Sequence, residues 1–215
     1  MKQTRRIEGI APEGVSLLAA GTAATALTAL FSRRAALLPL ALTVGTAAFL
    51  RDPQRQLPTD DTRLWSAADG TIMRVDEINE QRFIGGPALR IVTFLSLFDV
   101  HINRAPTAGT VRYVEHLTGE FRAAWDAQCD TVNERNYVGL TTAHGPLLLV
   151  QIAGLVARRI VFTPHQGDNL ATGERIGLIK FGSRTDVMVP RSSTEALVVP
   201  GMHVKAGLTP IGAWR

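Results

Sequence analysis

A glycine–serine pair near the C-terminus raises the question of whether its serine is a turn residue or a reactive group. Gly182-Ser183 lies in the stretch GERIGLIKFGSRTDVMVP, residues 173–190, between two apolar runs with the pattern of strands, Ile176–Phe181 and Val187–Val189. A Gly-Ser pair between strands is usually a turn. A serine hydroxyl is a poor nucleophile at neutral pH, so a chemical role for Ser183 requires a nearby base.

Two further stretches carry polar side chains where apolar runs begin or end. SAADGTI, residues 66–72, places Asp69 on an Asp-Gly turn that enters a strand pattern. FLSLFDVHINRAP, residues 94–106, leads from an apolar strand pattern into Asp99-Val100-His101. Taken alone, each is typical of a turn or of a loop with a polar pair. A chemical role for them depends on all three stretches being considered together.

Several other kinds of site lack the residues that they would need. The five histidines have no spacing typical of metal ligands, and neither His-Glu-x-x-His nor Cys-x-x-Cys occurs. The single cysteine, Cys129, excludes an intrachain disulfide and a cysteine-based metal site, which fits a reducing compartment. No P-loop, dinucleotide fingerprint or Gly-x-Ser-x-Gly elbow is present. The sequence therefore disfavours the common nucleotide-dependent enzymes and hydrolases.

The composition predicts one sizeable folded domain with a small appendage. Of the 215 residues, 46% are hydrophobic and 20% are charged, which allows a buried core. The formal charge of +4 and the pI of about 9.8 fit ordinary solubility or attraction to an anionic surface, either nucleic acid or phospholipid. Aromatic residues make up only 6%, and no basic run is interleaved with them, so stacking on nucleic acid has little support.

The N-terminal region favours a membrane partner. Two uncharged, mostly apolar segments, residues 15–31 and 35–50, flank a turn that contains Arg33 and Arg34. As helices, each would span roughly 24–26 Å, slightly less than the roughly 30 Å hydrocarbon core. The pattern predicts a transmembrane or re-entrant helical hairpin in the cell membrane. A buried hairpin docked on the domain is the alternative, and a cleaved signal peptide is disfavoured by two acidic residues before the first segment.

The distribution of basic residues predicts the orientation of this hairpin. Basic residues lie outside both outer ends of the hairpin, and their excess over the two in the turn is small. By the positive-inside rule, both ends and the domain that follows are expected on the cytoplasmic side. A polar, proline-bearing linker, residues 51–64, then separates the hairpin segment, residues 1–50, from the domain, residues 65–215.

The domain after the linker has the pattern of a mostly β fold. Apolar and polar residues alternate with period two in residues 71–75, 90–94 and 110–114. GDNLATGERIG (167–177) and GMHVKAGLTPIG (201–212) form a weak internal repeat, typical of the paired units in β-sandwich or barrel-sandwich folds such as lipoyl carriers. A carrier displays its lysine at a hairpin tip, whereas Lys180 lies inside an apolar run. This tells against a carrier without excluding it.

Ordered motifs along nearly the whole chain carry a family resemblance. FLRDPQRQLP (49–58) looks like an FFRDPxRxxP boundary after a hydrophobic hairpin, and NERN (133–136) precedes the strand block HGPLLLVQIAGLVARRI (144–160). GERIGLIKFGSRTDVMVP is similar to a Gly-Glu-x-x-Gly-x-x-x-(Phe/Leu)-Gly-Ser segment. Together with the Asp-Gly and Asp-Val-His stretches, these motifs resemble the phosphatidylserine decarboxylase proenzymes, particularly their short bacterial and archaeal form.

The chain departs from the family pattern at two positions. Ala67 stands where a proline usually precedes the Ala-Asp-Gly turn. Arg104 stands where the long bacterial form has a second histidine, although it fits the short form's DVHxNRxP. Whatever that histidine does must therefore fall to His101, another histidine or water.

The resemblance implies a pyruvoyl cofactor that the chain makes from Ser183. The serine hydroxyl would attack the carbonyl carbon of Gly182, and elimination would cut the chain into a β chain, residues 1–182, and an α chain, residues 183–215. Glycine suits the position because it lacks a blocking side chain and tolerates strained angles. His101 is the first candidate for the base because its pKa lies near neutrality. By the family motif, Asp69 is the favoured carboxylate to orient it, and Asp99 is the second.

The resemblance also implies the reaction and its partners. The pyruvoyl carbonyl would form a Schiff base with the amine of phosphatidylserine, and loss of CO₂ would give phosphatidylethanolamine without a metal. His101 is the expected proton donor, and Arg104 and Arg184 are candidates for contact with the substrate's phosphate or carboxylate. The cleaved chains would remain a heterodimer at the membrane. An archaeal ether lipid, archaetidylserine, is the alternative substrate, and a non-enzymatic, membrane-tethered lipoyl-like domain is the alternative from another class.

Overall fold

The fold was obtained as a computed structural model of the chain. The structure describes residues 9–57, 59–126, 128–155, 159–179 and 182–215. The chain divides into two compact units, one that ends at Gln54 and one that spans Arg55–Arg215. The first unit carries the apolar helices, and the second carries the strands. The three-part division predicted from the sequence stays a prediction.

The first unit contains a pair of apolar helices. A 3-10 turn, Pro12–Gly14, leads into α1, Val15–Phe31, and α2 spans Leu37–Phe49. The helices approach closely at Gly21, where a Cβ would lie 2.4 Å from Thr43 Oγ1. Together they confirm the predicted helical hairpin. The second helix begins two residues later than the apolar run because residues 33–36 form the turn.

The threonines of these helices do not make them polar. Each described threonine hydroxyl in the two helices donates to the carbonyl four residues earlier, and these residues are Thr22, Thr25, Thr28, Thr43 and Thr46. Bonds of this kind satisfy the hydroxyl within its own helix. The segment Pro12–Phe31, with a mean hydropathy of 1.6, is long and apolar enough to cross a membrane by length and composition. With 13 residues, α2 is shorter, about 20 Å.

The described residues of the second unit form antiparallel strands and a short helix, α3, Cys129–Val132. The strands are β1 (Arg63–Trp65), β2 (Gly70–Glu80), β3 (Gly86–Leu95), β4 (Ile102–Arg104), β5 (Gly109–Leu117), β6 (Arg135–Thr142), β7 (Gly145–Ile152), β8 (Ile160–Phe162), β9 (Asn169–Leu170), β10 (Arg175–Ile179), β11 (Ser183–Pro190), β12 (Thr194–Ala196), β13 (His203–Val204) and β14 (Pro210–Trp214).

The strands form one large sheet and two small ones. The large sheet has eight strands in the order β13-β2-β3-β11-β7-β6-β5-β9, and the small sheets have the orders β1-β14-β12 and β4-β10-β8. The three segments predicted from period-two alternation lie in β2, β3 and β5. The predicted fold class, mostly β with an N-terminal helical hairpin, is thereby confirmed.

Strand β11 lies at the centre of the large sheet and is buried on both faces. Val187 and Val189 enter the main core, which joins residues of all three sheets, such as Leu64 and Ile176. Between them, Met188 points the other way and packs with a second cluster that includes Leu148, Val150 and Ile152. Neighbouring side chains of a strand alternate between its faces, so a central strand with a core on each side has no exposed face. The residue at which β11 begins, Ser183, is therefore buried as well.

The weak internal repeat, residues 167–177 and 201–212, corresponds to two similar turns. Gly173 N donates to the carbonyl oxygen of Ala105, and Gly207 N donates in the same way to that of Ser66. The two glycines have φ angles of +73° and +68°, in the left-handed region that favours glycine. A Cβ on Gly207 would lie 3.5 Å from Gly173 Cα, so the two turns also lie against each other.

Candidate active site

The glycine–serine pair lies where the chain passes from a small sheet into the centre of the large one. Strand β10 ends at Ile179, and β11 begins at Ser183; Lys180 and Phe181 lie outside the described residues. Gly182 has a φ of +60°, and a residue with a side chain would pay roughly 1–2 kcal/mol to adopt the left-handed conformation. Backbone conformation, rather than crowding, requires glycine, since no described atom lies within 4 Å of a Cβ built there.

Ser183 is a buried nucleophile candidate. Its side chain is fully buried, and its Oγ has no hydrogen-bond partner among the described residues. An unpaired buried hydroxyl costs about 1–3 kcal/mol, and most such groups in folded proteins are paired. The main chain fixes Ser183 in place, because Ser183 pairs with Leu95 on β3 and the next residue pairs with Ile152 on β7. The hydroxyl is thus positioned by its strand and is not engaged elsewhere.

His101 lies beside this junction, and two backbone groups define its tautomer. Its ring Nδ1 lies 2.9 Å from the carbonyl oxygen of Asp99, which can only accept, so Nδ1 carries the proton. The N–H of Gly182 donates to Nε2 at 3.2 Å, so Nε2 keeps its lone pair. These two contacts favour a neutral imidazole with its basic nitrogen at the glycine of the predicted cleavage site.

The Asp69 carboxylate pairs with an arginine. Arg55 donates to its two oxygens at 2.7 and 2.8 Å, and both side chains are buried. Asp69 Oδ1 also accepts from Ala206 N at 2.8 Å, and Arg55 donates to the Ala206 carbonyl. None of the described contacts of Asp69 goes to His101. The predicted pairing of the two stays a prediction, and the described contacts of Asp69 join Ala206 of the C-terminal segment to Arg55.

Asp99 acts on His101 through its main chain. Its carboxylate accepts from the backbone N–H and the hydroxyl of Ser96, at 2.8 and 2.6 Å, which closes the loop between β3 and β4. The other carboxylate oxygen lies 3.5 Å from Nε2 of His203. The carboxylate therefore shapes the loop, while the carbonyl oxygen of the same residue holds the His101 ring.

A chain of buried polar side chains connects β4, the strand that follows His101, to the strand of Ser183. Asn103, on β4, donates to the hydroxyl of Thr185 on β11 at 3.4 Å, and its amide oxygen accepts from Gln151 on β7 at 2.8 Å. Gln151 accepts in turn from Asn136 on β6 at 3.1 Å. All four side chains are buried, where an unpaired amide would be costly. The network thus holds the small sheet in register with the large sheet at the site.

The two arginines predicted to contact substrate are buried in other interactions. Arg104 donates to the carbonyl oxygen of Gly173 at 3.1 Å, within one of the two similar turns of the internal repeat. Arg184 is 1% exposed and makes two hydrogen bonds of 2.6 Å with the Asp186 carboxylate. Contact of either arginine with substrate stays a prediction, and the described contacts give both of them a structural role.

Arg184 belongs to a partly buried charge cluster formed by Arg90, Asp76, Asp130, Arg184 and Asp186, of which Arg184 and Asp186 are fully buried. Burial would lower the pKa of the Arg184 guanidinium, but its hydrogen bonds and charge interaction with Asp186 outweigh this and raise it. Burial also raises the pKa of the Cys129 thiol, against the effect of Arg184, whose Nη1 lies 3.4 Å from the sulfur. The residue after Ser183 is therefore a fixed cation beside an unreactive thiol.

Replacement of Asp186 by asparagine is expected to destabilise the domain. The change leaves the Arg184 guanidinium without its carboxylate in a buried site, and breaking such a pair costs about 3–5 kcal/mol. Urea unfolding of the uncut chain measures the fall in the free energy of unfolding. Glu77→Gln is the matched control because it breaks an exposed pair with Arg191, and its expected cost is at most about 1 kcal/mol. Equal losses in the two variants would contradict the prediction.

A second glycine, Gly154, leaves room for the carbonyl group of Gly182. It follows the end of β7, and a Cβ built on it would lie 1.8 Å from the Gly182 oxygen and 3.0 Å from the Gly182 carbonyl carbon. Gly154 is not among the glycines with positive φ, so space rather than backbone conformation requires glycine there. The carbonyl that Ser183 would attack therefore lies against the main chain at Gly154.

Arg55 and Gly154 were not predicted as site residues. Both lie in motifs that carried the family resemblance, FLRDPQRQLP and HGPLLLVQIAGLVARRI, but neither motif indicates a partner. Arg55 pairs with Asp69, which lies on a turn fourteen residues later in the chain. Gly154 lies beside Gly182 because β7 pairs with β11. The one available signal was an arginine close in sequence to the Asp69 turn.

Comparison with known proteins assigns the chain to a family. The family model for phosphatidylserine decarboxylase matches residues 42–212. A phosphatidylserine decarboxylase proenzyme from Symbiobacterium thermophilum is 54% identical over 165 residues, 76% of this chain and 76% of the relative. Proenzymes of the same name from Carboxydothermus hydrogenoformans and Syntrophus aciditrophicus are 42% and 37% identical, over 93% and 95% of this chain and 94% and 97% of the relatives.

These matches place the chain among enzymes that are made as precursors. More particularly, the chain belongs to the phosphatidylserine decarboxylase family. The resemblance drawn from the ordered motifs is thereby confirmed, and the alternative of a non-enzymatic carrier domain is not supported.

Proposed function

We propose that the chain cleaves itself and then converts phosphatidylserine to phosphatidylethanolamine. The substrate and the reaction are those of the relatives' name, at 37–54% identity over most of the chain. The observation that carries the self-cleavage is the buried Ser183 Oγ, which has no partner among the described residues and directly follows a left-handed Gly182. This arrangement supports attack of the hydroxyl on the carbonyl before it.

The proposed maturation uses only side-chain and backbone groups of this chain and water. Ser183 Oγ forms a bond with the carbonyl carbon of Gly182, the amide C–N bond breaks, and the hydroxyl proton passes to the released amine, which gives an ester. Removal of the Ser183 α-proton then expels the Gly182 carboxylate and leaves dehydroalanine. Water adds and ammonia leaves, so residue 183 becomes a pyruvoyl group. The products are residues 1–182 and 183–215.

His101 is the proposed base for the first step. A serine hydroxyl needs a proton acceptor at neutral pH, and the neutral Nε2 of His101 is directed to Gly182. Asp99 supports this state through its carbonyl oxygen, which holds the proton on Nδ1. Asp69, the partner favoured by the family motif, would have to share its carboxylate with Arg55 in order to reach His101. We therefore favour Asp99 as the residue that orients the imidazole.

The residues around position 183 fit a pyruvoyl group. The Ser183 hydroxyl is buried without a described partner, and the main chain at Gly154 leaves space at the preceding carbonyl. When formed, the group supplies a carbonyl that takes up the electron pair released as CO₂ leaves. His101 is the proposed donor of the proton that the product's carbon then requires.

Strand pairing supports a stable complex of the two cleavage products. Residues 183–190 form β11, which pairs with β3 on one side and β7 on the other. Residues 194–214 add β12, β13 and β14, of which β13 and β14 pair with strands of the large fragment. The Arg55–Asp69 pair also holds Ala206 from both its N–H and its carbonyl. The α and β chains are therefore expected to remain a heterodimer without a covalent link.

The helical hairpin is the proposed membrane anchor. Helix α1 has no buried residue, and the span Pro12–Phe31 meets the length and composition that a bilayer requires. The excess of basic residues outside the two outer ends supports a cytoplasmic position for the catalytic unit. The substrate's acyl chains remain in the bilayer during the reaction, so an anchored enzyme meets its substrate at the membrane surface.

Mass spectrometry of an active preparation tests the proposed function. We expect two fragments, residues 1–182 and 183–215, the second with a pyruvoyl group in place of a free amine, together with CO₂ release from phosphatidylserine. A preparation that decarboxylates the lipid while every chain keeps its intact mass of 23.2 kDa would refute the self-cleavage. A fully cleaved preparation without activity on the lipid would refute the substrate.

Replacement of His101 by alanine is expected to slow self-cleavage by about 10²–10⁴-fold, the usual contribution of a general base. A time course of the intact chain by mass spectrometry measures the rate, and added imidazole is expected to restore part of it. His165→Ala is the matched control, since that side chain is 89% exposed and lies 3.7 Å from Asp168. Normal processing of the His101 variant would remove His101 as the maturation base.

A further inference from the structure

Exposed apolar side chains surround the end of the sheet that holds the candidate active site. Strands β3 and β7 end at Leu95 and Ile152, on either side of the start of β11 at Ser183. The chain segments beyond those ends carry large apolar side chains in water: Leu97 is 51% exposed, Phe98 is 87% exposed and Leu155 is 60% exposed. The segments that follow the strand ends flanking Ser183 therefore carry outward-facing apolar side chains.

Trp125 belongs to the same group. It is 67% exposed, and its ring packs edge-on against Phe94 of β3 with the centroids 5.8 Å apart. The preceding residue, Ala124, lies 3.5 Å from the position of a Cβ on Gly154, next to Leu155. The segment of Trp125 thus reaches the ends of both β3 and β7. Leu97, Phe98, Trp125 and Leu155 together are called the apolar rim below.

The exposed apolar surface of the rim costs free energy in water. Each exposed apolar surface forgoes about 25 cal/mol per Å² that burial would provide. Clustered exposure of this kind marks an interaction site, whereas single exposed side chains are ordinary. A ring that is 87% exposed projects from the surface, so it suits a deformable partner into which it can insert. Phenylalanine, tryptophan and leucine are also the side chains that favour the interfacial region of a bilayer.

We propose that the apolar rim inserts into the interfacial region of the phospholipid bilayer and brings the active site down to the lipid headgroups. The proposal rests on the proposed function, because the reacting group of a phospholipid lies in the headgroup while its acyl chains stay in the bilayer. An anchor alone keeps the enzyme near the membrane without orienting the nucleophile. The rim lies on chain segments beyond the strand ends that flank the start of β11, so its insertion would orient residue 183 towards the headgroup layer.

A spin label at position 98 measures this insertion directly. The only cysteine of the chain, Cys129, is buried, so a Phe98→Cys variant has one reactive thiol at the surface. Gln81→Cys is the matched control, because residue 81 is exposed in the turn between β2 and β3, at the other end of β3. The two sites are about 30 Å apart along the strand at roughly 3.3 Å per residue.

We expect the label at residue 98 of the full-length protein, bound to phosphatidylserine–phosphatidylcholine vesicles, to be accessible to oxygen and shielded from a water-soluble nickel chelate. The label at residue 81 should show the reverse. Equal access of the chelate to both labels would overturn the proposal. The measurement needs no enzymatic activity, so it stands even if the proposed reaction is wrong.

Kinetics distinguish a membrane role from a catalytic one. In the Leu97→Ser/Phe98→Ser variant, we expect complete self-cleavage and unchanged activity on a short-chain phosphatidylserine below its micelle concentration. Activity on vesicles should fall about tenfold, since two apolar side chains no longer favour the bilayer. The proposal would be overturned by equal losses of activity on both substrates or by no loss on vesicles. It would also be overturned if a change in the oligomeric state of the variant accounted for the loss. Failure of the wild-type protein on both lipids would instead refute the proposed function.

Discussion

Replacement of Ser183 by alanine is expected to leave the chain uncut at 23.2 kDa and without decarboxylase activity. The hydroxyl is both the attacking group and the source of the pyruvoyl carbonyl in the proposed maturation, so no other group can replace it. Mass spectrometry of the purified variant, with an assay of CO₂ release from phosphatidylserine, measures both effects. Cleavage of the variant between residues 182 and 183 would refute Ser183 as the nucleophile.

The same variant should fold at least as well as the wild-type chain before cleavage. Ser183 Oγ has no described hydrogen-bond partner, so alanine removes an unsatisfied buried group and leaves the free energy of unfolding unchanged or raises it by about 1 kcal/mol. Ser66→Ala is the matched control, because the Ser66 hydroxyl is also fully buried but donates to the Ala68 carbonyl at 2.7 Å. That change should cost about 1 kcal/mol and leave self-cleavage intact.

The sequence predicts the elements of the fold because its local patterns are strong. The apolar run at residues 15–31 matches α1 residue for residue, since no charged or proline residue interrupts it. The alternating segments lie in strands of the large sheet for a similar reason, because period-two alternation needs no knowledge of the partner strand. The order of the strands was not predicted, since β11 enters between β3 and β7 through contacts that are distant in sequence.

The structure brings together some of the predicted site residues and gives others contacts that were not predicted, while their roles stay predictions. The ordered motifs indicated Gly182, Ser183 and His101, which the structure brings together. The role assigned to Arg184 overlooked Asp186, although residues two apart on a strand share a face and an Arg-x-Asp pattern indicates a pair. The position of Asp69 against Arg55 depends on the path of the chain between residues 55 and 69, which no local pattern specifies.

The junction combines a left-handed glycine with a buried serine in a way that supports the proposed reaction. Gly182 holds a left-handed conformation between two sheets, and Ser183 is held by pairing on both sides of its strand. This pairing holds the start of β11 in one position relative to its neighbouring strands. In the proposed maturation, the new end of β11 would remain in the middle of the sheet, so the residue proposed to become the cofactor would stay at the position where it forms.

Replacement of Gly154 by alanine is expected to slow self-cleavage at least about a hundredfold, because a displacement of the reacting group by about 1 Å can cost that much. The added Cβ would lie 1.8 Å from the Gly182 carbonyl oxygen, so the carbonyl that Ser183 attacks must move. Alanine is otherwise compatible with the backbone there, since Gly154 has no left-handed φ. The fraction of uncut chain over time, measured by mass spectrometry, gives the rate.

Gly86→Ala is the matched control for this change. Gly86 lies in the same sheet, has no positive φ, and no described atom lies within 4 Å of a Cβ built on it. The control should cleave at the wild-type rate, and far-UV circular dichroism should show the same strand content in both variants. A Gly154 variant that keeps its fold and cleaves normally would contradict the role of Gly154 in placing the carbonyl.

Hydroxylamine distinguishes the step that the Gly154 change affects. It cleaves esters, so it would cut a chain that completes the attack of Ser183 but fails in the later elimination, leaving a hydroxamate on Gly182. The clash in the Gly154→Ala variant lies at the carbonyl group attacked in the first step. We therefore expect the variant to resist hydroxylamine under conditions in which a trapped ester would be cut. Efficient cutting by hydroxylamine would show that the attack tolerates the displaced carbonyl and that the crowding acts on the elimination.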